Sequence, residues 1–178
     1  MDSDSLRALQ APIKDRYRAE PAAALITLRA HGRVDDPDGL SCSVETGRAL
    51  VKAGLHPATG GDGTLACSGD ILLQALVACA GVTLRSVATA KNIRLRGGTV
   101  SAEGDLDFRG TLGVDRDAPV GFKNIRLRFD LDSDATAEEL AALQKLTERY
   151  CVVYQTLASG LKPEVIFHAQ PSAPREIV

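Results

Sequence analysis

Two of the four cysteines stand where a thiol could take part in redox chemistry. Cys79 lies in the most apolar stretch of the chain, and Cys151 lies at a predicted junction between two helices. A thiol at the start of a helix meets unpaired backbone N–H groups, which stabilise the thiolate and lower the thiol pKa. The two positions therefore indicate a candidate redox pair. Free cysteines are also common as small buried side chains, so structural packing remains an alternative for both.

The other two cysteines, Cys42 and Cys67, are widely spaced, and no CxxC pair occurs in the chain. His56 shares a glycine-rich stretch with Cys67, and these two residues with Cys79 and Cys151 could form a soft metal site or a second redox partner. Tetrahedral zinc sites usually have closely spaced ligand pairs, which this sequence lacks. We therefore expect neither a metal nor a cofactor.

The charge balance excludes several classes of partner. The 21 lysines and arginines against 23 aspartates and glutamates leave a net charge of -2, which provides no field to attract nucleic acid or an anionic membrane. The apolar run 71–84 is shorter than the roughly 20 residues that a membrane span needs. Because the acidic start lacks an apolar targeting segment with basic flanks, we expect a cytoplasmic protein without nucleic-acid or membrane partners.

The first third of the chain combines an arm, a hairpin and a loop. Residues 5–19 have apolar side chains at helical spacing, which predicts a helical arm in residues 1–22, ahead of one domain over 23–178. Residues 23–32 and 40–46 predict two strands that a turn-rich segment joins into a hairpin. Residues 54–69 contain five glycines and a proline, so we expect a long loop there.

That loop leads into the helix that carries Cys79. We expect this helix to begin at Ser68, with the serine hydroxyl as its cap, and to run to about Lys91. Asp70 would meet the positive end of the helix dipole in the first turn. Apolar residues occupy both faces, so the helix should be buried on most sides.

In the second half of the chain, apolar residues recur first at the spacing of a strand and then at the spacing of a helix. Residues 100–109 and 124–131 predict a hairpin in which Asp105 and Asp107 face Arg126 and Arg128. A capping box at 136–139 predicts a helix to about residue 150. A further helical segment should cover 152–159, and residues 163–169 should close the chain as a strand. The expected fold class is α+β.

Four segments resemble the OsmC/Ohr family in order and spacing, across roughly residues 23–169. They are SGDILLQALVACAG at 68–81, VSAEGDLDFRG at 100–110, GFKNI at 121–125 and ERYCVV at 148–153. The resemblance implies an OsmC-like fold and an intertwined homodimer in which antiparallel sheet wraps around buried central helices. It also implies peroxide reduction at paired sites near the subunit interface.

Carried over by position, Cys79 resembles the peroxidatic cysteine of that family and Cys151 the resolving one. A peroxidatic thiolate becomes a sulfenic acid, which a second thiol converts to a disulfide. In the better-studied members an arginine and a glutamate hold the thiolate. In this chain Gly69 occupies the glutamate position, with Asp70 as the nearest acid, and Arg29 and Arg33 are the candidate arginines. Val152 stands where a proline often follows the second family cysteine.

Three functional hypotheses follow. The first is thiol-dependent reduction of organic hydroperoxides, in an apolar cleft lined by Leu72, Leu76 and Tyr150. The alternative is a non-catalytic dimer that binds a small apolar ligand with Cys79 as a contact. The third is a dimeric scaffold in which all four cysteines simply pack.

The expected partners are a second copy of the chain, a hydroperoxide or apolar ligand, and an external dithiol. We also expect Cys79 and Cys151 to approach each other in the folded protein and to be able to form a reversible disulfide.

Overall fold

A computed structural model of the chain describes residues 2–5, 7–8, 10–11, 19, 31–33, 41–45, 50–113 and 115–166. Its strands are β1 (His31–Arg33), β2 (Ser41–Glu45), β3 (Leu50–Gly54), β4 (Ala66–Cys67), β5 (Leu95–Asp105) and β6 (Asn124–Ser133). Its helices are α1 (Ser68–Ala90), α2 (Phe108–Thr111), α3 (Ala137–Tyr150) and α4 (Val152–Ala158), with a 3-10 turn at Pro57–Thr59. These elements confirm the predicted α+β class.

The strands before α1 form a four-stranded sheet in the order β1-β2-β3-β4. The pairing of β1 with β2 is antiparallel, as the predicted hairpin requires, while its connecting turn and residues 23–30 lie outside the described residues. Strand β4 pairs in parallel with β3 and brings the chain to the start of α1. The described residues between 3 and 11 are helical, and the division between an arm at 1–22 and a domain at 23–178 stays a prediction.

Strands β5 and β6 form the predicted second hairpin, with Val100 opposite Phe129 and Ala102 opposite Leu127. Strand β5 ends at Asp105, so the prediction of a strand through residue 109 is wrong. The cause is local, since the Asp107 side chain accepts a hydrogen bond from the Arg109 N–H at 3.2 Å and caps helix α2. An N-cap of this kind turns the backbone out of the strand.

The ion pairs on the outer face of this hairpin follow from where β5 ends. Arg126 contacts Glu103 and Asp105 across the strands, as the alternation predicted in part. Asp107 instead binds Arg109, whose guanidinium lowers the pKa of Asp107 to about 2. Arg128 binds Asp130 on its own strand, so the predicted pairing of Asp107 with Arg128 is wrong.

Helix α1 begins at the predicted residue but without the predicted cap. Cys67 is its N-cap residue, and no side chain makes a capping hydrogen bond. Ser68 already lies inside the first turn, where a serine hydroxyl is no longer placed to reach the free N–H groups, so its predicted capping role is wrong. Asp70 lies in this first turn, as predicted.

The core lies against one face of α1. Leu84, Val87 and Ala88 form a cluster with Leu143 of α3, and a second cluster surrounds Leu76 and Ala80. Only 22% of the most apolar 18-residue segment of α1 is buried within the chain. The chain's own sheet and helices cover one face of α1, so the predicted burial on most sides is not found within a single chain.

By length and composition, α1 is the one helix among the described residues that could cross a membrane. Its mean hydropathy is 1.8 over that 18-residue segment. The core helix of a soluble protein has the same properties, and the buried residues of α1 pack on α3 and on β5 and β6. A single helix of this kind is therefore weak evidence for a membrane span.

Helices α3 and α4 frame the second cysteine. The reciprocal hydrogen bonds between Thr136 and Glu139 confirm the predicted capping box of α3. Cys151 is the extended residue between the two helices, with φ -73° and ψ 108°, which confirms the predicted junction. Residues 161–166 have no regular structure, so the predicted final strand is wrong over 163–166, and residues 167–169 lie outside the described part of the chain.

A candidate thiol site

The fold brings the two predicted cysteines together. Cys79 lies near the middle of α1 and packs against a buried cluster formed by Leu76, Ala80 and Cys151. Val153 and Tyr154, in the first turn of α4, pack against the same cluster. The predicted approach of Cys79 to Cys151 is thus confirmed at the level of side-chain packing.

The two thiols differ in exposure. Cys151 is 1% exposed, whereas Cys79 is half-buried. Both are free thiols, and their sulfurs are not at disulfide distance. A disulfide needs the two Cα atoms within about 7 Å and converging Cβ directions, so the side chains must move locally before they can bond.

Hydrogen bonds set the ionisation of Cys79. Burial raises its pKa, but hydrogen bonds from the Val153 N–H, the Cys151 thiol, the Val152 N–H and the Thr83 hydroxyl outweigh that cost. The net effect is a pKa below the ordinary value of 9.0. A larger fraction of Cys79 is therefore thiolate at neutral pH than in a free cysteine.

The pKa of Cys151 shifts in the opposite direction. Burial raises its pKa, hydrogen bonds from the Tyr154 and Val153 N–H groups lower it, and the neighbouring Cys79 raises it further. The outcome is a pKa above 9.0. Because two adjacent thiolates would repel each other, the pair consists of one thiol that ionises readily and one that stays protonated.

The remaining candidates do not join this pair. Cys67 lies at the N-terminal end of α1, roughly 18 Å from Cys79 along the helix axis at 1.5 Å per residue. The His56 ring stacks on Phe108 with centroids 4.9 Å apart, and its Nδ1 accepts the Ala58 N–H at 3.0 Å. These contacts assign His56 a structural role at the 3-10 turn.

The metal-site alternative also loses its geometric basis. Among the described residues, no group of three or more histidine, cysteine, aspartate or glutamate side chains could hold a metal ion. Arg29 lies outside those residues, and only the backbone of Arg33 and Cys42 is described, in β1 and β2. Asp70 is exposed at the start of α1, about two and a half turns from Cys79.

A cavity of about 930 Å³ lies beside the thiol pair, between β6 and helices α3 and α4. Its lining combines apolar residues with polar and charged ones, and it includes Leu76 and Tyr154, which also contact the cysteine cluster. Of the three residues predicted to line an apolar cleft, only Leu76 does so. Leu72 and Tyr150 are 37% and 59% exposed and lie outside the lining.

Sequence reasoning missed four residues that contribute to the site. Thr83 lies one helical turn after Cys79, a spacing that places the two side chains on one face, and it could have been found by that rule. Tyr154 lies three residues after Cys151 and has the same relation to it. The N–H groups of Val152 and Val153 carry no side-chain signal, and only the packing of α4 on α1 reveals them.

Comparison with known proteins gives one family. The sequence profile of the family described as OsmC-like protein matches residues 61–166, more than half of the chain. No curated protein matches the chain significantly.

Solved structures with the same fold share little sequence with this chain. An OsmC-like protein from Mycoplasma pneumoniae superposes with a TM-score of 0.62 at 17% identity, covering 76% of this chain and 89% of that one. An organic hydroperoxide resistance protein OsmC from Legionella pneumophila gives 0.58 at 18% identity, with coverage of 75% and 90%. An organic hydroperoxide resistance protein from Elizabethkingia anophelis gives 0.59 at 17%, with coverage of 77% and 91%. At such identities the likeness establishes the fold.

Proposed function

The chain belongs to the OsmC-like protein family, and on that premise we propose that it reduces organic hydroperoxides through the thiols of Cys79 and Cys151. One observation carries the proposal. Two thiols pack together, and hydrogen bonds and burial move their pKa values in opposite directions. A lowered pKa suits the thiol that attacks first, and Cys151 gives up its proton when it attacks in the second step.

In the proposed reaction the Cys79 thiolate attacks one peroxide oxygen. An S–O bond forms as the O–O bond breaks, and the leaving alkoxide takes up a proton to become an alcohol. The sulfur loses two electrons and becomes a sulfenic acid, while the peroxide gains them. The Cys151 sulfur then attacks the sulfenic sulfur, which forms the disulfide and releases water. An external dithiol supplies the two electrons that restore both thiols.

The adjoining cavity supports an organic substrate over hydrogen peroxide. The apolar residues of its lining, with Leu127, Phe129 and Leu143 among them, would accept a hydrocarbon group. Leu76 and Tyr154 link this cavity to the thiol cluster. A hydroperoxide could therefore place its apolar part in the cavity and its O–O bond near Cys79.

Thiol counting before and after one equivalent of cumene hydroperoxide tests the proposal. The protein should lose two thiols and form a Cys79–Cys151 disulfide that dithiothreitol reverses. Cys79→Ser should abolish the loss, and Cys151→Ser should accumulate a sulfenic acid on Cys79 that dimedone traps. Cys67→Ser is the matched control and should behave as the unmodified protein. A disulfide that contains Cys42 or Cys67, or an unmodified Cys79, would contradict the assignment.

The proposal includes a homodimer. Leu72, Ala75 and Val82 lie at helical spacing on the side of α1 that also holds Cys79, and the chain itself leaves all three exposed. Covering such a stripe is favourable by about 25 cal/mol per Å² of apolar surface. A second copy would cover it and would also enclose the half-buried thiol. We place this dimer in the cytoplasm, where a resting pair of thiols stays reduced.

A second candidate is a binding protein of the same fold without turnover. It is favoured by the size of the cavity and by Gly69, which leaves the position of the family glutamate without a carboxylate. In that case cumene hydroperoxide would leave the thiol count unchanged. Cumyl alcohol would still displace an apolar fluorescent probe from the cavity, and Leu143→Gln in the cavity wall would weaken that binding.

A further inference from the structure

Thr147 is a buried polar residue in the wall of the cavity of about 930 Å³. It lies on α3, one helical turn after Leu143 and one turn before Cys151. It is 2% exposed, and among the described residues that line the cavity it is the one buried polar side chain. Leu143 and Cys151 belong to the two apolar clusters of the core, so the threonine hydroxyl lies in apolar surroundings.

The Thr147 hydroxyl has no hydrogen-bond partner within the described part of the chain. A threonine inside a helix can donate to the carbonyl four residues earlier. Thr89 and Thr156 do so, with distances of 2.8 Å to the carbonyl oxygens of Arg85 and Val152. Burying a polar group without a hydrogen bond is unfavourable. The fold therefore keeps an unpaired hydroxyl in a cavity wall, where a ligand could pair with it.

We propose that Thr147 is a specificity-determining residue of the cavity, whose hydroxyl pairs with the oxygen function of an otherwise apolar ligand. A threonine hydroxyl both donates and accepts, as does a hydroperoxide or an alcohol, so the two groups are complementary. Threonine in a helix populates two χ1 rotamers, which lets a hydroxyl in the wall turn toward a bound molecule. This role deepens the proposed function and rests on it, because the ligands are the hydroperoxide and its product alcohol.

Most of the remaining polar residues of the lining are less suited to this role. Ser133 donates to the Arg94 carbonyl, and Gln144 donates to Glu148, both at 2.8 Å. Three further side chains are exposed, so water competes with a ligand for their hydrogen bonds; they are Lys123, Asn124 and Arg128.

The place of Thr147 also sets the orientation of the ligand. The Thr147 carbonyl accepts the Cys151 N–H at 2.9 Å, so the residue is one closed helical turn from the second thiol. Tyr154, which packs on the cysteine cluster, lines the same cavity. An oxygen held at Thr147 would therefore face the thiol pair, while the hydrocarbon part lies against Phe129 and Leu143.

The affinities of cumyl alcohol and cumene test this hydrogen bond, since the two molecules differ by one hydroxyl group. Displacement of the fluorescent probe 1-aminoanthracene gives both dissociation constants. In Thr147→Val the ratio of the cumyl alcohol affinity to the cumene affinity should fall roughly fivefold, the effect of about one neutral hydrogen bond. Thr147→Ser keeps a hydroxyl and should retain most of the ratio. Thr156→Val is the matched control and should leave the ratio unchanged, because that hydroxyl already bonds within α4 and lies outside the lining.

Thermal unfolding without ligand is the second measurement. Thr147→Val should raise the Tm, because it removes an unpaired buried hydroxyl and keeps the shape of the side chain. Thr156→Val should not raise it, since the hydroxyl it removes is paired. An unchanged affinity ratio or a lowered Tm in Thr147→Val would overturn the proposal, because the hydroxyl would then be bonded within the fold.

Both measurements are independent of turnover. A protein with the expected affinity ratios whose thiols survive cumene hydroperoxide would fail the proposed function alone. A protein that reduces cumene hydroperoxide, and in which Thr147→Val keeps the affinity ratio, would exclude the role of Thr147 alone.

Discussion

At the scale of single residues, the chemistry of Cys79 depends on small polar contacts that compete with burial. Burial alone would raise the pKa of both cysteines, and both accept from backbone N–H groups of α4. Their pKa values differ because the interaction between the two thiols lowers that of Cys79 and raises that of Cys151, and because Thr83 donates to Cys79 alone. Thr83 is the one side-chain hydroxyl among the donors to Cys79, one turn further along α1. Its contribution can be separated from the backbone contribution by substitution.

Thr83→Val should raise the pKa of Cys79, because it removes the hydroxyl donor and keeps the shape of the side chain. The shift should be smaller than roughly one pH unit, since the backbone donors remain. Alkylation of Cys79 at pH 7 should slow accordingly. Thr83→Ser retains a hydroxyl and is the control, which should leave the pH profile near its original position. If all three proteins showed the same pH profile of Cys79 alkylation, Thr83 would not be a donor to Cys79.

At the scale of elements, the β5–β6 hairpin contributes apolar side chains that pack against the thiol cluster. Val100, Ala102, Ile125 and Leu127 pack against the cluster that contains Cys79 and Cys151. An irregularity in the pairing separates Leu95 from Gly97, and Gly98 then takes a φ of 147°. This conformation is open to glycine and strained for other residues. Gly98 is therefore a position of the hairpin at which a substitution should be costly.

Gly98→Ala should destabilise the protein by about 1–3 kcal/mol, because a Cβ at this position would lie 2.5 Å from the Asp130 carbonyl oxygen of the opposite strand. The neighbouring Gly97→Ala is the control, since a Cβ there meets no atom within 4 Å. Urea unfolding followed by circular dichroism compares the two variants. Similar midpoints for both would show that β5 relaxes around the added methyl group.

At the scale of the whole molecule, the distribution of apolar surface points to a second copy. Helix α1 is the most apolar element of the chain, yet one of its faces stays exposed, with Val82 at 70%. Exposed apolar patches on this scale usually mark an interface. The same face carries Cys79, so assembly and chemistry are coupled in the proposed dimer.

Val82→Asp should shift the protein from dimer to monomer, because burying an unpaired carboxylate at the interface is strongly unfavourable. Multi-angle light scattering at micromolar concentration measures the mass. The control is Ala142→Asp, which introduces the same charge at an exposed position of α3 and should leave the dimer intact. A monomeric unmodified protein, or a dimeric Val82→Asp variant, would exclude this face as the interface.

The sequence by itself determined most of the local elements and singled out Cys79 and Cys151 as the candidate thiols. The two-residue period of 100–105 and 124–131 requires one buried sheet face, and the Thr136 capping box is complete within four residues, so both could be read without a structure. Cys79 in an apolar helix and Cys151 between two helices followed from the same local patterns. The resemblance to the OsmC/Ohr family, which the family match confirms, added their order and spacing.

Only the tertiary structure decided which of the two thiols ionises more readily and which groups surround each of them. The donors to Cys79 come largely from a helix that follows it by more than 70 residues in the chain, and backbone N–H groups leave no trace in residue type. Asp107 caps a helix where the strand alternation predicted a partner on the opposite strand, and His56 stacks on Phe108 and joins no cysteine. Contacts of this kind depend on how distant elements pack, and packing is a property of the whole chain that no local period encodes.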